Sequence, residues 1–453
     1  MDESQSCALE PLRQLINNLT GAVDDLEKIF SAYSLDFPSL DVPFTKSNAE
    51  DLTQTADAVK SINIIVASSY QLLSTARHPF GTLCDASSVY QLSSCLRVAE
   101  NLNIPEIIRE NGTHGCHVGI ISQQCNMDPS KLSRILRVLA SHHIFLEVSP
   151  DIFANNRVSS FFDSGKKTAM IKTNALSKYQ DAVGISGYIG TFTDEVAKAS
   201  TYLLENLKDE NHGKGFAPEH GALQAAVNTQ SNYFSWLEEP HNEYRLGRYA
   251  ECIRGTSLWD APEAILEGFN WADLPPNSTI VDVGGGTGAP LMVVASEYPH
   301  FTFIIQDREA VISQAREHWS LRRPDLPISF QVHDFFKEQP QKNAAVFLVR
   351  TICHDWPDHL AIEILRNLRQ AAGDTVHIPG AELTIVPEPL LSNMGKASAN
   401  VYWIDMTMQV LLNGQERTLP HHIQIMREAG WNPIRVNRCR NSHFGYLVAE
   451  CVY

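Results

Sequence analysis

Basic residues are scarce in this chain of 453 residues. Lysine and arginine total 36 against 52 aspartates and glutamates, which leaves a formal net charge of −16 at pH 7. Nucleic-acid binding needs a positive face that neutralises phosphates, and an anionic membrane surface attracts the same kind of face. The charge balance therefore argues against nucleic acid and against membrane surfaces as the main partners.

Cysteine is also sparse, with nine residues spread over the chain and no pair at the C-x-x-C spacing of zinc and redox sites. No apolar run approaches the roughly 20 residues that a membrane span requires. The acidic beginning, MDESQSCALE, lacks the apolar core of a secretory signal. We therefore expect reduced thiols, no metal site, no membrane segment and a cytoplasmic protein.

What the chain does contain is a globular composition, with 43% apolar and 19% charged residues. The length suggests two or three domains. Changes in periodicity along the chain indicate where they divide. We predict a helical extension over residues 1–84, a winged-helix-like domain over 85–165, a helical linker and pocket segment over 166–250, and an α/β domain over 251–453.

The winged-helix-like pattern consists of helices followed by a short hairpin. Its second helix, predicted over residues 130–142, carries Lys131, Arg134 and Arg137. Such a layout is typical of DNA-binding domains, but it is often purely structural, and the acidic chain opposes DNA binding. Further along, Thr193–Leu207 is predicted to form one helix.

Beyond Ser278, short apolar runs alternate with helical stretches. That alternation predicts a parallel sheet with helices on both faces, as in doubly wound α/β folds. The predicted strands are Thr279–Val283, Phe301–Gln306, Ile328–His333, Ala344–Val349 and Glu382–Val386.

A glycine-rich turn follows the first of these strands and precedes a helix, as a nucleotide site requires. Gly284, Gly286 and Ala289 fit the G-x-G-x-x-A pattern of dinucleotide sites. Asp282 extends the turn to D-x-G-x-G-x-G, and its carboxylate would repel a pyrophosphate. S-adenosylmethionine, which carries a cationic amino-acid tail, suits that acid better. Asp307, at the end of the next strand, can bind ribose hydroxyls in either case.

A candidate base, His354, follows the fourth predicted strand. Residues beyond the carboxyl ends of parallel strands face the ligand crevice, and a histidine titrates near neutral pH. Glu388 lies just past the predicted strand Leu383–Val386, and Glu416 lies in a loop before another helix. Either carboxylate could accept a hydrogen bond from His354 and hold its ring in one tautomer.

Together these residues resemble the plant- and fungal-type small-molecule O-methyltransferases that use S-adenosylmethionine. The resemblance covers residues from about 85 to 453 and implies a Rossmann-like domain with a mostly parallel, doubly wound sheet. It also implies that the N-terminal winged-helix domain serves homodimerisation. The residues that carry it are 132–139, 155–159, 281–286, 306–308, 333–336, 354–356, Glu388 and 416–418.

The resemblance implies roles for the matching positions. His354 would be the general base, flanked by Glu388 and Glu416. No metal is implied, and the product of the cofactor would be S-adenosylhomocysteine. The cofactor-binding positions would be Asp282, Gly284, Gly286, Asp307, Asp334, Phe335 and Arg350, where plant members often carry lysine. The substrate pocket would include Phe234, Trp236, Trp403, Met406 and Met408.

The expected activity is methyl transfer to a hydroxyl of a small aromatic or polyketide-like secondary metabolite, in the fungal natural-product branch. Some relatives bind the same cofactor but catalyse pericyclic or dehydration reactions without moving a methyl group. Those relatives usually have a damaged base motif, whereas His354, Asp355, Glu388 and Glu416 are all present here. A cofactor-sensing regulator is a third reading, which the negative charge opposes.

Overall fold

The computed structural model describes residues 9–453 except 113, 181–183, 257–259, 261, 343, 373–382, 390–394, 440, 441, 443, 452 and 453. It describes no side chain of residues 383–389 or of Ser398. The chain forms two compact units. The first unit comprises Met1–Tyr202, Phe234–Thr256 and Met394–Ala399, and the second comprises Leu203–Tyr233, Ser257–Asn393 and Asn400–Tyr453.

The first unit begins with the helices that the apolar periodicity predicts. The apolar stripes of the first and third helices meet in a small core around Leu26, Phe30 and Ala58. These helices are α1 (Glu10–Ala32), α2 (Asn48–Thr53), α3 (Ala56–Ala76), α4 (Pro79–Asn101) and α5 (Ile104–Glu110).

The predicted winged-helix layout follows, with two short helices and a small antiparallel sheet in the order β1-β3-β2. Carboxylates of the following hairpin partly neutralise the positive charge of the second helix, because Arg137 lies 2.7 Å from Glu147 and 2.9 Å from Asp151. Its positive charge is therefore not fully available to phosphates. The elements are β1 (Cys116–His117), α6 (Val118–Cys125), α7 (Pro129–Ser141), β2 (Leu146–Ser149) and β3 (Ile152–Ala154).

The segment Thr193–Leu207 is helical, as predicted, but it is not one regular α-helix. The segment contains a π-helical turn, Phe192–Val196, and a further break at Tyr202. The turn carries two buried acids, Asp194 and Glu195, and both bind Arg248. The helices of this region are α8 (Thr168–Thr173), α9 (Ile185–Thr191), α10 (Ala197–Thr201), α11 (Leu203–Lys208), α12 (Ala222–Val227), α13 (Tyr233–Leu237) and α14 (Glu243–Thr256).

Asp194, whose side chain is buried, is the centre of an ionic cluster that joins α4, α10 and α14 to the π-helical turn. Its carboxylate lies 2.6 Å from Arg97, 2.6 Å from Lys198, 3.1 Å from Arg248 and 3.3 Å from Arg245. Burial alone would raise the pKa of Asp194, but the hydrogen bond from Lys198 and the charges of Arg248 and Arg97 lower it to about 2. The charged cluster therefore stabilises the first unit at neutral pH.

The second unit is built on a seven-stranded sheet in the order β6-β5-β4-β7-β8-β10-β9. Strands β4 to β8 run parallel, and β10 lies antiparallel between β8 and β9. The strands are β4 (Thr279–Val283), β5 (Thr302–Asp307), β6 (Ser329–Val332), β7 (Val346–Leu348), β8 (Leu383–Pro389), β9 (Trp431–Arg438) and β10 (Phe444–Cys451).

The five predicted parallel strands all form, although Glu382, predicted to begin the fifth, lies outside the described residues. Strand β8 is longer than predicted, so that Glu388 lies within it, opposite Gly445, and not just past its end. No prediction covered β9 and β10. The buried run FGYLVAEC carries the signal that would have identified β10.

Helices flank the sheet and bury its faces. The indole Nε1 of Trp319, on the helix after β5, donates to the carbonyl of Thr287 at 2.9 Å and so ties that helix to the glycine turn. Within the described part of the chain, no helix combines the length and apolar character needed to cross a bilayer. The helices are α15 (Ala264–Gly268), α16 (Ala289–Glu297), α17 (Glu309–Arg322), α18 (Asp358–Ala372), α19 (Ala399–Leu412) and α20 (Leu419–Glu428).

Asp194→Asn is expected to lower the free energy of unfolding by about 3 kcal/mol, because it leaves buried basic groups without a full counter-charge. Since the folded pKa lies below the unfolded one, the stabilisation is full above about pH 4 and is lost as pH falls toward 2. Urea denaturation measures both effects. Asp25→Asn, which removes the exposed pair with Lys28, is the control and should change the value by less than about 1 kcal/mol. Equal losses in the two variants would contradict the prediction.

Candidate active site

The glycine turn after β4 bends through left-handed backbone at three positions. The φ angles of Gly284, Gly286 and Gly288 are +66°, +58° and +72°. Side chains other than hydrogen are strained in this region. A Cβ on Gly288 would lie 2.1 Å from Ile305, whereas a Cβ on Gly286 would meet nothing within 4 Å. The space beside Gly286 leaves room for a ligand to approach the backbone.

Two acids border the turn. The Asp307 carboxylate accepts the N–H of Gly286 at 2.9 Å and that of Arg308 at 2.7 Å, which places it beside the glycines. Asp282 lies in β4 and is buried. Burial, aided by the Asp307 carboxylate and opposed by Arg350, raises the pKa of Asp282 to about 7. A carboxyl group held in this state near neutral pH gains charge stabilisation from a cationic ligand.

Arg350 is held beside these acids. Its Nη2 donates to Asp260 Oδ2 at 2.9 Å, the same oxygen accepts the hydroxyl of Tyr446 at 2.8 Å, and the guanidinium lies over the ring of Phe444. Arg350 Nε and Asp260 Oδ1 are buried without a hydrogen-bond partner among the described residues. Buried polar atoms without a partner are uncommon in native proteins, which sets the Arg350–Asp260 pair apart from the surrounding core.

The segment after β6 carries the positions predicted to flank an adenine. Asp334 accepts the N–H of Phe336 at 3.0 Å and so stabilises its own turn. The Phe335 ring packs edge-on against Phe336 and Trp356, and it lies 3.5 Å from the Cβ that Gly284 would carry. Phe335 therefore borders the glycine turn as an apolar wall.

A buried amide network near this segment was not predicted. Gln306 and Gln339 exchange two hydrogen bonds, of 2.7 and 2.8 Å, and both side chains are 1% exposed. Gln331 accepts from Gln306 at 2.8 Å and from Gln341 at 3.0 Å. The sequence feature that could have indicated this network is Gln306, a polar residue directly before Asp307 in an otherwise apolar strand. The network joins β5 and β6 to the segment that follows Phe335.

His354 lies in a 3-10 turn, Cys353–Asp355, just past β7; we call it the His354 turn. Its Nδ1 lies 2.6 Å from Oε1 of Glu416, and both side chains are buried. Glu416 belongs to residues 413–418, the Glu416 loop. A carboxylate that accepts from Nδ1–H leaves Nε2 as the basic nitrogen. Nε2 lies 3.5 Å from Asp355 Oδ1, which is beyond a good hydrogen bond.

The remaining predicted residues occupy different places. The backbone of Glu388 lies in β8, but its side chain is outside the described residues, and its role stays a prediction. Trp403 and Met406 are 57% and 37% exposed on α19, and Met408 is half-buried on the same helix. In the first unit, α13 carries Trp236, which is buried, and Phe234, which is half-buried. The predicted lining of a substrate pocket remains a prediction.

The chain matches known proteins along nearly its whole length. A model of an O-methyltransferase domain matches residues 261–432, and one of an O-methyltransferase dimerisation domain matches residues 84–164. An O-methyltransferase of Armillaria gallica is 36% identical over an alignment of 461 positions that covers 96% of this chain and 97% of the relative. This chain belongs to the O-methyltransferase family. The 4-O-methyltransferase 1 of Phanerochaete chrysosporium is 31% identical over an alignment of 462 positions that covers 96% of this chain and 98% of the relative.

The protein is thus an S-adenosylmethionine-dependent O-methyltransferase, as the sequence predicts. A solved structure described as a pericyclic reaction enzyme matches with a TM-score of 0.69 at 18% identity, over 86% of this chain and 94% of that one. Such a likeness concerns the fold alone. The predicted α/β methyltransferase fold with a helical N-terminal dimerisation domain is confirmed.

Gly288→Ala is expected to destabilise this O-methyltransferase by about 3 kcal/mol or more, because overpacking against Ile305 adds to the cost of left-handed backbone. Gly286→Ala should lower the free energy of unfolding only by the strain of the left-handed backbone, about 1–2 kcal/mol. Urea denaturation of the cofactor-free protein compares the two variants. Equal losses would mean that the contact with Ile305 does not constrain Gly288.

Proposed function

We propose that this enzyme methylates a hydroxyl of a small aromatic or polyketide-like metabolite, with His354 as the general base and Glu416 as its orienting carboxylate. The observation that carries the proposal is the 2.6 Å contact between His354 Nδ1 and Glu416 Oε1. Both side chains are buried, and β7, which leads into the His354 turn, is the sheet neighbour of β4. A base placed there faces the crevice at the carboxyl ends of the strands.

The described residues fit S-adenosylmethionine. Asp307 suits the ribose hydroxyls, and the open space beside Gly286 suits the methionine portion. The Asp282 carboxyl group suits the ammonium group of the methionine portion, and the Arg350 guanidinium suits its carboxylate. The proposed adenine neighbours are Asp334 and Phe335. When bound, this cofactor supplies an electrophilic methyl group on a sulfonium and leaves as S-adenosylhomocysteine.

The chain's own part in the reaction is to position the acceptor and move one proton. Because Glu416 accepts from Nδ1–H, Nε2 of His354 is the basic nitrogen and takes the proton as the acceptor O–H bond breaks. The oxygen then forms the new O–C bond. The Glu416 carboxylate stabilises the imidazolium that results. General-base help of this kind is worth about 10²–10⁴-fold in rate.

The proposed class of methyl acceptor is inferred from the exposed apolar face of α19. Trp403 and Met406 lie on this helix one turn apart, and Asp405 between them accepts the backbone N–H of Glu416 at 2.9 Å. The helix that exposes the apolar side chains is thus tied to the loop that orients the base. Large exposed apolar side chains favour a flat, apolar acceptor.

His354→Ala is expected to lower turnover by about 10²–10⁴-fold, since transfer then lacks its base. Its affinity for S-adenosylmethionine should stay within about twofold of wild type, because the proposed cofactor-binding residues are intact. The measurement uses methyl-labelled S-adenosylmethionine with a panel of hydroxybenzoates, naphthols and hydroxyanthraquinones, and calorimetry for the cofactor.

The matched control is His359→Ala, an exposed histidine on α18 whose loss should leave turnover unchanged. Near-normal turnover in His354→Ala would contradict the assigned base. If the wild-type enzyme binds the cofactor tightly and converts an acceptor without transferring label, the reaction is of the pericyclic or dehydration type instead.

We also infer that the enzyme is a homodimer assembled through its first unit. The dimerisation-domain match begins within α4, and Phe80, Leu83 and Tyr90 on that helix are 71%, 67% and 63% exposed. Their spacing of three and seven residues places them along one helical face. Exposed apolar faces of this kind mark protein–protein interfaces.

A double variant, Phe80→Glu with Leu83→Glu, is expected to dissociate the dimer, because two carboxylates would be desolvated at its interface. Sedimentation velocity at micromolar concentration reports the mass. Leu321→Glu is the control, since Leu321 is 76% exposed on α17 of the second unit and should leave the mass unchanged. A double variant that still sediments as a dimer would exclude this face as the interface.

A further inference from the structure

Arg417, the residue after Glu416, is a fully buried cation whose hydrogen bonds converge on the His354 turn. Its Nη1 donates to the carbonyl of Cys353 at 2.6 Å, and its Nη2 donates to the carbonyl of Trp356 at 2.7 Å. These carbonyls lie on either side of His354 in the chain. One planar guanidinium therefore spans the peptide segment that carries the base.

Asp358 supplies the counter-charge. Its Oδ1 accepts from Arg417 Nε at 2.9 Å, and its Oδ2 pairs with Nε2 of His421 at 2.9 Å. Asp358 is the first residue of α18, where the helix dipole favours a carboxylate. Burial would raise the pKa of Asp358, but the hydrogen bonds from His421 and Arg417 outweigh it and lower the pKa. The pair is therefore charged at neutral pH.

Backbone contacts fasten the same two segments together. The N–H of Gln415 donates to the carbonyl of His354 at 2.9 Å, and the Gln415 side chain reaches Asp358 at 2.9 Å. A Cβ on Gly414 would lie 2.1 Å from the His354 carbonyl, so only glycine permits this approach. The Glu416 loop is thus packed directly on the backbone of the base.

The His354 turn is held both by its own backbone and by neighbouring segments. Its backbone closes through Asp355 N to Ile352 O at 3.1 Å and Trp356 N to Cys353 O at 3.4 Å, the second of which is long. Contacts from outside the turn also reach it, since Glu416 lies on Nδ1 of the imidazole and Arg417 bonds the two carbonyls on either side of His354. Arg417 is suited to this task, because its rigid fork fixes two carbonyls and one carboxylate at once.

We propose that Arg417 and Asp358 are positioning residues that hold the His354 turn against the Glu416 loop and so keep Nε2 aimed at the acceptor. The inference rests on the proposed function, in which His354 is the base. Both residues act through His354, because their hydrogen bonds go to its turn and to the Glu416 loop. Since a misplacement of about 1 Å can cost about 10²-fold in rate, a loosened turn affects transfer strongly.

The test is a double-mutant cycle with His354→Ala. Arg417→Lys keeps the charge but cannot span both carbonyls, and Asp358→Asn keeps the volume but removes the counter-charge. Each is expected to lower the single-turnover transfer rate about 10- to 100-fold, with cofactor affinity within about twofold. In the His354→Ala background the same substitutions should change the residual rate less than about twofold, because their effect passes through His354. The probe is the fastest-methylated member of the hydroxybenzoate, naphthol and hydroxyanthraquinone panel.

A second readout needs no acceptor. In protein labelled with ¹⁵N-histidine, the His354 signals are identified by their absence in His354→Ala. The wild-type imidazole is expected in the single tautomer protonated at Nδ1, and Arg417→Lys and Asp358→Asn should show a mixture of tautomers. Arg323→Lys, in an exposed pair with Asp325, is the control and should leave the rate and the spectrum unchanged.

The outcomes separate the two hypotheses. Equal rate losses with and without His354, or an unchanged tautomer together with a lowered cofactor affinity, would overturn the positioning role and leave His354 as the base. A normal rate in His354→Ala alone would overturn the proposed function, and this inference with it.

Discussion

The contact between His354 and Glu416 is the interaction on which the candidate site depends. It joins a turn after β7 to a loop 62 residues later, so it exists only if the sheet and α18 to α20 are correctly assembled. A histidine without that carboxylate would have no fixed tautomer. Arg417 and Gln415 donate hydrogen bonds to the His354 turn, and Asp405 accepts one from the backbone N–H of Glu416.

The cofactor side of the site is arranged differently. Arg350 Nε and Asp260 Oδ1 are buried without partners among the described residues, and so is Glu416 Oε2 on the base side. Burial also holds the pKa of Asp282 near 7. A cationic ligand group beside such a carboxyl group stabilises its charged form. On the base side a hydrogen bond orients the histidine, whereas on the cofactor side burial and neighbouring charges set the protonation of Asp282.

Prediction from sequence worked where a local pattern dictates a local structure. The strand, glycine turn and helix around Gly284–Gly288 form as expected, and so does the winged-helix hairpin. It failed where tertiary contacts override the pattern. The segment Thr193–Leu207 reads as one helix, yet it breaks into a π-helical turn whose acids meet Arg248. The end of β8 was placed too early, because pairing with β10 extends the strand through Glu388.

The sequence by itself determined the class of fold, the family and the residue types needed for methyl transfer, because periodicity, glycines and short motifs are local features. It left open which of two carboxylates meets His354, and it gave Arg417 no role. Only the tertiary structure decided that Glu416 lies at hydrogen-bonding distance and that Arg417 brackets the His354 turn. Those facts depend on distances between segments far apart in the chain, and such distances are set by packing of the whole unit.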